Sequence, residues 1–143
     1  MSVAAGVIVL VGRVLFAYFF GAIGGVGHFR RSKNMVDYAG SAKFPVPAIA
    51  GWPSGAWLII GSVSVATGLW PDIGTLMIAA FVIPAAWWFH RFWEVEDPMQ
   101  KMTQTQLFWR NAIALGACLA MFGMFVTLGD ALRFTVTAPL FNF

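Results

Sequence analysis

From residue 3 to residue 27 almost every position is apolar, and the one charge in that stretch is Arg13. Three further apolar runs follow, at about residues 53–69, 73–92 and 107–128. A bilayer core about 30 Å thick takes about 20 helical residues to cross. The first, third and fourth runs meet that length, and the second is short for it. Between the second and third lie only Trp70, Pro71 and Asp72, which leaves room for nothing but a hairpin of antiparallel helices. Backbone polar groups in lipid must pair within the protein, so the runs are expected to be helices. The pattern predicts an all-α integral membrane four-helix bundle, a single transmembrane domain over residues 1–143.

The intervening segments are read differently. Residues 28–52 are expected to form a loop, because Pro45, Pro47 and Pro53 break any one helix over residues 35–53. The apolar content of that stretch suits a piece lying on the membrane face, where it could roof a pocket. Small residues recur every four positions as Ala17, Gly21 and Gly25 on the first helix. Ala112, Gly116 and Ala120 repeat the spacing on the last, and Ser64 and Gly68 form a shorter pair. Such ladders are expected to be packing seams, since membrane helices associate by close backbone approach.

Composition supports lipid as the medium. The chain is 59% hydrophobic and 10% charged, with a mean hydropathy of +0.76. Soluble domains carry about 25% charged residues, and a chain of 143 residues cannot hide this much apolar surface within itself. The net charge of +3 does not point to nucleic acid, because the basic residues flank apolar runs and form no long solvated patch. The single cysteine, Cys118, excludes an intramolecular disulfide and a CxxC pair. The start, "MSVAAGVIVL", has no basic region and runs on past signal-peptide length, so it is expected to be a retained helix.

Charge also orients the chain. Arg30, Arg31, Lys33 and Lys43 lie in the first loop, and Arg91 and Lys101 in the third; the other side offers Asp72, Asp130 and Arg133. The positive-inside rule then puts both long loops in the cytoplasm and both termini outside it. Trp52, Trp57, Trp87, Trp88, Trp93 and Trp109 fall near the cytoplasmic ends, and Trp70 alone falls at the other. Indole rings favour the headgroup layer. The tryptophan-rich stretch "IPAAWWFHRFWEVEDPMQ" is therefore read first as a helix leaving the membrane, and only second as a cofactor box.

Few residues remain for chemistry. Arg13 should snorkel outward or find a partner, with Asp130 on the same expected side; a ligand contact is its functional alternative. His28 and His90 sit at the same expected level, at the cytoplasmic ends of two parallel helices. Two imidazoles there could ligate a haem iron or serve a proton path to a quinone. Haem is set aside, since polar helix ends often hold a histidine each. No cysteine or carboxylate joins them at ligand spacing, so no metal site is expected. Glu94, Glu96 and Asp97 look like a solvated turn. Arg110 and Asn111 open the last helix, and Asn111 could reach across to His90. Pro84 should kink the third helix. A head-group site of Arg13, His28, His90 and Arg110, for a quinone or lipid, is the candidate binding set; no catalytic constellation is complete, and no activity of the chain's own is expected.

Several motifs together resemble the DoxX family of small bacterial membrane proteins. They are "GRVLFAYFFGAIGGVGHF", "VDYAGSAKFPVP" and "WLIIGSVSVATGLWPDIGTLMIAAF". "HRFWEVEDPMQKMTQTQLFWRNAIALGACLAM" is similar to a subgroup marked here by His90, Phe92, Trp93, Phe108 and Asn111. The resemblance implies a four-helix bundle in the bacterial inner membrane. It also implies a place beside redox or oxidative-stress complexes, as related subunits accompany thiosulfate:quinone oxidoreductase. Two departures stand out. Many members carry a glutamate entering helix two, where this chain has "PSGAWLIIG", and a lysine closing helix one, where it has His28. The resulting expectation is a non-catalytic accessory or scaffold subunit of a membrane redox or envelope complex. The alternatives are a quinone-reactive subunit or a lipid or small-solute binder. Expected partners are membrane lipids and other membrane subunits, or a second copy met through small-residue helix faces, with no nucleic acid.

Overall fold

The computed structural model describes residues 1–141. It is all-helical, with no strand among the described residues. Helix α1 runs Val3–Arg30 without a break, although Tyr18–Gly25 within it winds as a π-helix. Helix α2 spans Ser32–Ser41, α3 Trp52–Thr67, α4 Pro71–Phe89 and α5 Pro98–Leu128. Three of these, Val3–Arg30, Pro71–Glu94 and Pro98–Ala131 with their short extensions, are long and apolar enough to cross a membrane. Helix α3 has 16 residues, about 24 Å at 1.5 Å per residue. It falls short of the bilayer core by itself, yet packs between α1 and α4.

Among the described residues five helices thus stand where four were expected. The added one, α2, lies inside the segment read as a loop. It fits there because the prolines that rule out a long helix begin only at Pro45. Helix α5 begins at Pro98 rather than near 107. Asp97 caps it, its side chain accepting from the Gln100 N–H at 2.8 Å, and Pro98 occupies the first turn. At 31 residues α5 is about 46 Å long, so its polar opening turns extend beyond an apolar span. The expected hairpin is present. Gly68 ends α3 in the left-handed region (φ 73°), and Pro71 starts α4 directly after Trp70.

The core joins Phe20 of α1, Leu58 and Val65 of α3, Ile78, Ala79 and Val82 of α4, and Cys118 of α5. One ladder works as expected and one does not. A Cβ on Gly21 would stand 2.8 Å from the Ser62 Cβ, and one on Gly25 would stand 2.7 Å from the Ile59 Cγ1. The first ladder is therefore the α1–α3 seam. On α5, a Cβ on Gly116 would meet nothing within 4 Å, because that ladder faces outward.

At the hairpin end, Arg13 is 1% exposed. Its Nε donates to the Val65 carbonyl at 2.8 Å, Nη2 to Ala66 at 2.9 Å and Nη1 to Phe134 at 3.0 Å. These carbonyls take the role expected of Asp130, which is exposed. The same end holds the C-terminal segment. The Gly68 carbonyl accepts from the N–H groups of Val136 and Thr137. Buried Asp72 accepts at Oδ2 from Leu140 and Phe141 at 2.7 and 2.8 Å.

Candidate functional site

The opposite end of the helices is not filled. A cavity of about 930 Å³ lies between α1, α3, α4 and α5, under α2 and the chain that follows it. It is near the upper size of ordinary small-molecule sites. Its wall is mostly ring and aliphatic surface, including Phe16, Phe20, Trp57, Phe81 and Phe89. Tyr38, Phe44 and Ile49 form the roof, as expected of the proline-rich segment. The roof is pinned to α4: the Tyr38 hydroxyl donates to the Phe89 carbonyl at 3.2 Å, and the two rings stack at 5.5 Å.

The local sequence explains the wall. The π-wound stretch of α1 contributes Phe19, Phe20, Ile23 and Gly24 to it. Pi-turns are rare and recur at functional sites. Pro84 lines the cavity together with Ala80, four residues earlier. With no N–H, Pro84 cannot bond the Ala80 carbonyl as a helix otherwise would. Helix α1 packs on α3, and α5 on α4, with no extended contact between α1 and α5. Phe19 and Ile23 of α1 and Ile113 of α5 line the cavity and are exposed, Ile113 at 72%. The cavity therefore opens on the flank of the bundle between these two helices.

Polar groups gather at one end. His28, Ser54 and His90 line the cavity near helix ends, and Arg110 and Asn111 line it from within α5. His28 Nδ1 lies 3.0 Å from the Ala50 carbonyl and 2.7 Å from Ser54 Oγ. His90 Nδ1 lies 2.9 Å from Gln104 Oε1. The Arg110 guanidinium sits 5.9 Å over the Phe19 ring, across the opening from its own helix. Asn111 donates back to Leu107 at 3.0 Å, within α5, rather than across the bundle to His90. Of the expected head-group set, His28, His90 and Arg110 line this one cavity. Arg13 does not: fifteen residues before His28, it lies roughly 20 Å away along the helix at ordinary rise. Ser54 and Gln104 went unnoticed in the sequence because each is an ordinary helix residue until the chain folds. Among the described residues, no three His, Cys, Asp or Glu side chains are grouped so as to hold a metal ion.

Membrane-length apolar helices around a flank-opening cavity with a polar end define a small multi-helix membrane protein. The family model for DoxX matches residues 8–91, more than half of the chain, and the protein belongs to the DoxX family. No curated protein and no solved structure matches it. Arg110 and Asn111, on α5, lie beyond the matched region.

Proposed function

We propose that this protein takes an apolar-tailed molecule with a hydrogen-bonding head from the bilayer and holds it in the flank cavity. The head rests against His28, His90 and Arg110, and the tail lies among the aromatic rings. The observation that carries this is the cavity itself: about 930 Å³, apolar for most of its depth, polar at one end and open between α1 and α5. A lipid and a quinone share this chemistry. The loops that carry most of the basic residues meet at this polar end, as the Tyr38–Phe89 bond joins them. The positive-inside rule then sets the head site at the cytoplasmic face of an inner membrane, with both termini outside. In this reading α3 is the fourth span, and residues 1–143 form one membrane domain.

A second observation favours an accessory role in a redox or envelope complex. On α5, Gly116 and Gly123 have open space where a Cβ would be, and Ala120 between them is exposed. That face is free for another membrane helix. The binding reading is tested by native mass spectrometry from mild detergent. Wild type should retain one apolar-tailed molecule per chain. Ala80→Trp, which places an indole where Ala80 lines the cavity, should lose it. A wild-type chain that carries nothing, or a variant that carries the same molecule, would contradict the reading.

A further inference from the structure

The histidine tautomers define which head this cavity accepts. A carbonyl oxygen can only accept a hydrogen bond. His28 Nδ1, 3.0 Å from the Ala50 carbonyl, therefore carries the ring proton. The Ser54 hydroxyl is consistent with this: its own proton goes to the Ala50 or Gly51 carbonyl at 2.8 or 2.9 Å, leaving its lone pairs for the imidazole N–H. His90 Nδ1 faces the Gln104 amide oxygen at 2.9 Å, which likewise only accepts. A neutral imidazole has one N–H, so both Nε2 atoms hold a lone pair. The hydrogen bonds of both rings to Ala50, Ser54 and Gln104 run through Nδ1. Neither Nε2 is sealed in, because Ser62 Oγ and Asp72 Oδ1 are the buried side-chain atoms without partners. Both rings line the cavity.

We propose that the head site of the cavity selects a phenol or hydroquinone on an apolar tail over the corresponding quinone, because the two histidines offer it lone pairs. This rests on the binding reading above. A phenolic O–H donates to an Nε2, while its oxygen can still accept from Arg110, which makes no ion pair among the described residues. A quinone carbonyl satisfies Arg110 alone and turns its lone pairs toward those of the imidazole. The rings of Phe81 and Trp57 in the wall suit an aromatic head, which packs edge-to-face or offset against them. One hydrogen bond made or left unmade in such a site changes affinity about tenfold.

The test is an anaerobic titration of the detergent-solubilised full chain at pH 8, above the ordinary histidine range of about 6.5. The probes are decylhydroquinone, the matched decylquinone, and 1-decanol as a hydroxyl without a ring. The hydroquinone should bind about tenfold more tightly than the quinone, and decanol should bind more weakly than the hydroquinone. The wild-type ratio decides without any variant. His28→Phe with His90→Phe should bring the two ring probes to similar affinity. Equal affinities in wild type, or a preference for the quinone, overturn the selection and leave the cavity reading standing. Decanol matching the hydroquinone overturns the aromatic head. Binding of none of the three overturns both this inference and the reading beneath it.

Discussion

Arg13 separates what a residue's place in the sequence reveals from what it does not. A lone cation inside an apolar run marks itself as unusual, and its need for a partner follows from the cost of burying charge. Its partners leave no such mark, because they are the backbone carbonyls of Val65, Ala66 and Phe134. Arg13→Met is expected to leave those three acceptors short of donors. An unsatisfied buried group costs about 1–3 kcal/mol, and the Val65 bond is the buried one of the three, so the variant should lose about 1–3 kcal/mol, read as an earlier unfolding midpoint in detergent. Lipid retention by the folded fraction should be unchanged, because Arg13 lies outside the cavity; an unaltered midpoint would contradict the structural role. His28 and His90 could be placed at one level from sequence because each lies at a helix end on one side, where the run lengths set the level; Arg110 lies twelve residues after Pro98, well inside α5. Ser54 and Gln104, which fix the two imidazoles, carried no signal of their own.

At the scale of elements, two ladders of the same spacing behave in opposite ways. Gly25 abuts α3, where a Cβ would fall 2.9 Å from the Gly55 carbonyl oxygen as well as against Ile59. Gly25→Ala should therefore lower the thermal midpoint measured by circular dichroism. Gly116→Ala should hold or raise it, since alanine in an open helix position favours the helix by about 0.5–1 kcal/mol. A shared loss in both variants would contradict this assignment of faces. Spacing told which residues share a stripe, but not which stripe finds a neighbour. Helix cores followed the apolar runs closely. The ends did not, since α5 begins with polar turns that hydropathy assigns to loop, and α2 is too polar to register as a span. The π-wound stretch of α1 has no sequence signature beyond its glycines.

The whole molecule is arranged as two unlike ends. One is closed by Arg13, Asp72 and the C-terminal segment, and the other holds the roofed cavity. Removing residues 132–143 should destabilise the closed end by stripping partners from Arg13, Gly68 and Asp72, which a lowered midpoint in detergent would register. With the loops cytoplasmic, a Lys33→Cys variant should resist an impermeant thiol reagent in intact cells and react after lysis; reaction in intact cells would reverse the orientation. The central claim is that bilayer molecules enter between α1 and α5, and photolabelling addresses it most directly. In vesicles doped with a lipid carrying a diazirine on its tail, label should reach the outer residues Ile8, Leu15 and Ile60. It should also reach Phe81 and Ala114 inside the cavity, with the inner label lost in Ala80→Trp. Label confined to the outer residues, or inner label that persists in the variant, would contradict the account.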